Sequence, residues 1–228
     1  MQEEFKSLQD NETWELVPLA SKRKLVKYKW VYRTKMDYYD LYVNYKAILV
    51  SKFLSQFHRV DYTDTFSPVA KMDSIRLVLA IAASKRWEVH HMDVKSEFIH
   101  VYLHEDIYMQ KHECFIHYPS LFCSLNKALY GLKQSPRAWY AKMDNFILSW
   151  GFEIWKYDPN VYLQNLYEYI QIIVMYVDDI LITRICIANI CLIKSSLHNE
   201  FSITGLELLK QFIGLEIEQY DATTKVIQ

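Results

Sequence analysis

The chain has 228 residues, 51% of them apolar and 15% aromatic, and a formal net charge of -1. That length suits one large domain or two closely packed subdomains, and the apolar content supports a substantial core, which excludes wholesale disorder. The near-zero charge gives no sign of a nucleic-acid binder, and the longest apolar stretch, Tyr169 to Val177, contains Gln171 and is too short to span a bilayer.

The first twenty residues read as a mobile lead-in, punctuated by Pro18. From Lys27 to Lys35 the chain is rich in Tyr, Trp and Val, which predicts a strand. Tyr42 to Phe53 predicts a second strand, with a turn over Asp37 to Asp40 between them. Between Ser21 and Phe53, nine basic residues (Lys22, Arg23, Lys24, Lys27, Lys29, Arg33, Lys35, Lys46, Lys52) stand against Asp37 and Asp40. Such a segment either contacts phosphates or forms a solvated lysine-rich face.

Asp73 or Ser74 can cap a helix through Ile75, Leu77, Val78, Leu79, Ile81 and Ala82, apolar on most sides and so expected to be buried. Trp87 to Asp93 predicts a strand with Trp87, Val89 and His91 on one face. The clearest helix begins at Ser135, with Ser135 as N-cap and Pro136 at the first helical position. Trp139, Met143, Phe146, Ile147 and Trp150 recur at helical spacing, and Gly151 supplies the stop. Asp158-Pro159-Asn160 is a turn. Val161 to Gln164, Tyr169 to Tyr176 and Ile180 to Thr183 are strands, the last two forming a hairpin with Asp178 and Asp179 at its tip. A helix over 190–200 and a strand-like stretch over 212–217 complete the pattern. The class is α+β with a mostly antiparallel sheet.

Two adjacent carboxylates after a long apolar strand repel one another and are costly to desolvate. They read either as an ordinary turn or as a divalent-cation site, where the cation's charge removes the repulsion. A cation site needs a third acid. Asp93 also ends an apolar strand, and two such strands side by side would bring Asp93 and Asp178 together, with two Mg²⁺ ions within reach.

Tyr176-Val177-Asp178-Asp179 resembles the YxDD box of reverse transcriptases, and Met92-Asp93-Val94-Lys95-Ser96-Glu97-Phe98 resembles their first aspartate motif. Further stretches are similar to the copia-type retrotransposon family, in that family's order. They are Lys29-Trp30-Val31-Tyr32, Tyr45-Lys46-Ala47, Thr65 to Lys71, Ala128 to Tyr140, and Phe212 to Ile217.

The resemblance implies an RNA-directed DNA polymerase with a right-hand fold: a lead-in over 1–13, fingers over about 14–86, a palm over about 87–228 with an antiparallel sheet and flanking helices, and no thumb. Asp93, Asp178 and Asp179 are then catalytic. Together with the backbone oxygen of Val94 they would hold two Mg²⁺ ions, for which Mn²⁺ can substitute. The implied partners are an RNA or DNA template-primer and a deoxynucleoside triphosphate, with no membrane and an intracellular setting, in a cytoplasmic particle or the nucleus. The absence of CxxC spacing among Cys114, Cys123, Cys186 and Cys191 agrees with a reducing compartment. By the same resemblance Phe98, Tyr130, Gly131, Lys133, Tyr176 and Val177 would line the incoming nucleotide. Lys29, Arg33 or Lys35 would meet its triphosphate, and Phe212, Gly214 and Glu216 would form the primer grip.

The chain departs from the family pattern in its glycines and in one arginine. Ile48 stands at the arginine of the second finger strand, and Phe53, Val101 and Arg184 stand at glycine positions. Each lost glycine is expected to force a bulky side chain into a tight backbone site. This suggests a decayed copy, weakly active or inactive. A non-catalytic relic and a simple nucleic-acid-binding module are therefore the rival readings. His100, His104, His112, Cys114, His117 and Cys123 crowd one stretch but lack familiar zinc spacing. His90 and His91 are expected to be core or surface histidines rather than acid-base groups.

Overall fold

A computed structural model describes residues 1–18, 24–36, 43–110, 120–166, 169–183, 187–201, 203–220 and 223–227. The expected turn at Asp37 to Asp40, the Arg184 position and the stretch holding His112, Cys114 and His117 lie outside the described residues. In chain order the elements are α1 (Gln2–Asp10), β1 (Trp14–Pro18), β2 (Tyr28–Met36), β3 (Val43–Ser51), α2 (Met72–Lys85), β4 (Val89–Val94), β5 (Tyr102–Met109), β6 (Leu121–Lys127) and α3 (Ser135–Ser149). There follow β7 (Glu153–Ile154), β8 (Val161–Leu166), β9 (Tyr169–Tyr176), β10 (Asp179–Thr183), α4 (Ile187–Glu200), β11 (Ile203–Leu208), β12 (Gln211–Phe212), β13 (Leu215–Tyr220) and β14 (Thr223–Ile227). The fold is thus mixed, with antiparallel sheets and helices. Among the described residues no helix is long and apolar enough to cross a membrane. Two compact units interleave along the chain, the first taking Met1–Phe66 and Phe98–Trp139, the second Ser67–Glu97 and Tyr140–Gln228.

In the first unit the expected mobile lead-in is instead helix α1 followed by strand β1. Glu3 and Glu4 fill the first turn of α1, where the helix dipole favours negative charge. Leu8 anchors it, buried in a cluster with Val26, Leu49, Ile107 and Met109. Strand β1 pairs with β6, giving a sheet of order β1-β6-β5. Strands β2 and β3 form a separate hairpin, in register from Tyr28↔Ser51 to Met36↔Val43.

The second unit is built on a six-stranded sheet of order β11-β4-β10-β9-β8-β7, antiparallel at every step. Within it β4, α3, β9, β10, α4 and β11 follow the strand-helix-strand-strand-helix-strand order of a split βαβ arrangement. Val89, Val174 and Leu181 on one sheet face share a core with Ile75, Val78, Leu79 and Ala82 of α2 and with Phe212, Leu215 and Ile217. Alternation sends Ile173 and Ile180 to the other face. There they meet Phe146 and Ile147 of α3 and Ile193 and Leu197 of α4 around a small apolar cavity.

Two helix starts differ from the sequence reading. The cap residue of α2 is Lys71, not Asp73 or Ser74, and no side chain caps it. Instead the buried carboxylate of Asp158 accepts the backbone N–H of Lys71 at 2.8 Å and that of Asn160 at 3.0 Å. Moreover, α2 is amphipathic rather than buried on most sides, since Leu77 is exposed. At α3 the first helical bond closes on the Gln134 carbonyl, so Ser135 lies inside the helix. Its hydroxyl donates to the Leu129 carbonyl at 2.8 Å. Trp139, Met143 and Ile147 are buried as their spacing predicts, and Gly151, at φ +80, ends the helix.

Candidate active site

Tyr176 pairs with Asp179, closing the β9–β10 hairpin over a two-residue loop, Val177-Asp178. Val177 sits at φ +58, a left-handed conformation that is strained for a β-branched residue. On its other side β10 pairs with β4, and the residue facing Asp93 is Asp179. The sequence reading set Asp178 beside Asp93; the register places Asp178 one step further, in the loop, where its carbonyl accepts the Val94 N–H at 3.0 Å. That bond makes Asp93–Asp179 the closer, non-hydrogen-bonded type of cross-strand pair, with α-carbons roughly 4.5 Å apart. All three acids therefore stand at one end of the sheet, half-buried. Among the described residues no three His, Cys, Asp or Glu side chains close into a metal-holding group.

Sequence reasoning missed the partner of Asp179. His91, two residues before Asp93 on the same face of β4, brings Nε2 to 2.6 Å from Asp179 Oδ1. The Phe212 ring packs edge-on against His91 and against Tyr176, each at 6.0 Å between centroids. Phe212 belongs to the β12–β13 hairpin, whose loop residues Ile213 and Gly214 both have positive φ, +48 and +77. Of the expected primer-grip residues, Phe212 is buried, whereas Gly214 and Glu216 are exposed. His90 reaches Glu88 at 3.2 Å.

In the first unit Phe98 is buried edge-on against Tyr130, 4.8 Å between centroids. The Tyr130 carbonyl accepts the Ser51 N–H at 2.7 Å. Gly131, at φ +84, lies so close to β3 that an added Cβ would stand 2.1 Å from the Ser51 oxygen. Lys133 donates from Nζ to the Tyr62 hydroxyl at 2.9 Å and lies over that ring. Its backbone N–H donates to Gln56 Oε1 at 2.9 Å. Gln56 in turn donates to Gln134, and Gln134 to the Asp61 carbonyl, all three being buried. This network was not foreseen; its signal, polar residues scattered through 56–62 and at 134, has no period. Lys29 and Arg33 are exposed on one face of β2, and Arg33 faces Lys46 across the hairpin. The Lys35 side chain lies outside the described residues.

Residues 11–228 match the family described as reverse transcriptase (RNA-dependent DNA polymerase). The chain belongs to that family, in its copia-type branch. It is 41% identical over 229 aligned positions to the retrovirus-related Pol polyprotein from transposon TNT 1-94 of Nicotiana tabacum, covering 99% of this chain and 17% of that protein. It is 38% identical over 215 positions to the Pol polyprotein from transposon RE1 of Arabidopsis thaliana, covering 92% of this chain and 14% of that one. The chain thus spans about a sixth of the length of these relatives.

Two of the residues at the family's glycine positions, Val101 and Phe53, adopt no left-handed backbone, contrary to the expected backbone strain. Val101 is buried without a positive φ; its N–H donates to the Phe98 carbonyl at 3.1 Å, and its carbonyl accepts from Ala128 at 2.8 Å. Phe53 opens a short 3₁₀ turn, Phe53–Ser55, again without a positive φ. Ile48 faces Val31, which puts it between Arg33 and Lys29 on the basic face of the β2–β3 hairpin.

Proposed function

We propose that this chain carries the nucleotidyl-transfer centre of an RNA-directed DNA polymerase, extending a primer 3′-hydroxyl with deoxynucleoside triphosphates on an RNA or DNA template. The observation that carries the reading is the register that sets Asp179 opposite Asp93, with the Asp178 carbonyl bonded to Val94. Facing carboxylates are destabilising by themselves and make sense as a cation site. Carboxylate oxygens of Asp93, Asp178 and Asp179 with the Val94 carbonyl form a hard oxygen donor set suited to Mg²⁺ or Mn²⁺. Bound there, two such ions supply activation of the primer hydroxyl and charge neutralisation on the departing pyrophosphate.

The protein's own part is positioning. Fingers over about 14–86 and a palm over about 87–228 are the proposed division. Phe98, Tyr130, Gly131, Lys133, Tyr176 and Val177 are assigned to the nucleotide, Lys29, Arg33 and Lys35 to its phosphates, and Phe212, Gly214 and Glu216 to the primer. A weakened copy is the second reading, favoured by Ile48, an aliphatic residue where the family places a phosphate-binding arginine.

Incorporation of labelled dTTP on a primed poly(rA) template in Mg²⁺ tests both. The parent extends the primer, and Asp178→Asn loses at least about 10³-fold while binding template-primer nearly as before. Extension by that variant at the parental rate would sink the metal assignment. Robust extension by the parent would refute the weakened copy, and binding without extension by parent and variant alike would favour the nucleic-acid-binding module.

A further inference from the structure

The contacts around Asp179 form a closed circuit. Asp179 bonds to His91, His91 meets the Phe212 ring, Phe212 meets Tyr176, and Tyr176 pairs through its backbone with Asp179. We propose that His91 is a positioning residue for Asp179, and that Phe212 fixes His91 in that role. The inference rests on the metal reading of the three acids and adds a residue to it.

An ionised carboxylate only accepts, so the 2.6 Å contact requires a proton on His91 Nε2. The contact is shorter than an ordinary N–H···O bond, as expected when the acceptor is a carboxylate. His91 occupies a place on β4 where its same-face neighbour Val89 is wholly buried, so an aliphatic residue would suit the core equally well. An imidazole there is explained by the bond it makes. By holding Oδ1, His91 leaves Oδ2 as the Asp179 oxygen for a cation shared with Asp93. Without it the carboxylate would turn about its χ angles, and the ion would have to order it on binding. Because the edge-on Phe212 ring packs on the imidazole, seating of the β12–β13 hairpin and orientation of Asp179 are one event.

Mn²⁺ binding to the full chain, followed by the electron paramagnetic resonance of the free ion, tests this without relying on catalysis. His91→Leu is expected to weaken binding about tenfold, as loss of a bond to a metal-binding group does. His91→Gln, whose amide nitrogen can donate to the same oxygen, is expected to keep most of the affinity. Parental affinity in both variants, or an equal loss in both, overturns the positioning role. Asp93→Asn is the control: if it binds Mn²⁺ like the parent, the metal reading falls and takes the inference with it. A normal loss in Asp93→Asn with no loss in His91→Leu removes the inference alone. Should the leucine variant fail to fold, the unmodified chain decides, because the His91 imidazole resonances must move as Mg²⁺ is added. Resonances that stay put overturn the role.

Discussion

Gly131 and Gly214 show how differently one residue type can be constrained. Both have positive φ, but a Cβ at 131 would stand 2.1 Å from the Ser51 oxygen and 2.8 Å from Val50 Cγ1, while one at 214 would meet nothing within 4 Å. Gly131→Ala must push β3 away from the 129–132 segment, and we expect it to cost about 3 kcal/mol or more. Gly214→Ala meets only the backbone penalty of a left-handed residue, about 1 kcal/mol. Urea unfolding of the two variants checks this, and equal losses would refute the steric account. Close approach at Gly131 was implied by the family resemblance, because glycine permits a backbone to come near. What it approaches was not readable. The neighbour is the backbone of Ser51, eighty residues away in sequence, and no local pattern marks such a meeting. The same holds for Lys133, whose ammonium is fixed by Tyr62, and for His91, whose bond to Asp179 depends on a strand register.

At the scale of elements, hydrophobic period found most of the architecture. Trp139, Met143 and Ile147 announced α3, and the β9–β10 hairpin followed from its apolar runs. Failures came where an element is held by one distant contact. Helix α1 has Leu8 as its single buried residue, too little to show as a period. The start of α2 is set by Asp158, from a turn far along the chain. Helix α1 also makes the stability depend on pH. Burial holds the Glu4 carboxyl above its ordinary value of 4.5, against the opposing pull of Lys46 and the N-terminus. A raised carboxyl pKa favours folding fully below pH 4.5, and that contribution is lost as pH rises through the folded value. At neutral pH the ionised Glu4 is therefore a small cost. Glu4→Gln should stabilise the chain by less than about 0.5 kcal/mol at pH 7 and by nothing at pH 4. Paired denaturation curves at the two pH values measure it, and a gain that persists at pH 4 would mean the glutamine acts by another route.

For the whole molecule, the three acids set stability against function. The fold places Asp93 and Asp179 face to face at the end of a sheet whose interior is aliphatic, an arrangement that no packing requirement explains. Sequence reasoning could locate these acids from their motifs, but the chain passes between the two compact units at residues 66, 97 and 139 without a compositional mark, so their convergence rests on sheet order alone. Like charges directly opposite cost about 0.2–1 kcal/mol, and a cation bound to them returns more than that. Asp93→Asn should accordingly be the more stable protein in EDTA, by about 0.5 kcal/mol, or a degree or two in melting midpoint. In Mg²⁺ the order should invert. A ligand at a hundred times its dissociation constant adds about 2.7 kcal/mol to the parent, some 5–10 °C for a chain of this size, while the variant gains little. Thermal melts of both proteins with EDTA and across a Mg²⁺ series give the crossing point directly. If the two curves stay parallel, the facing carboxylates hold no cation, and their proximity has to be explained by the strand register and nothing else.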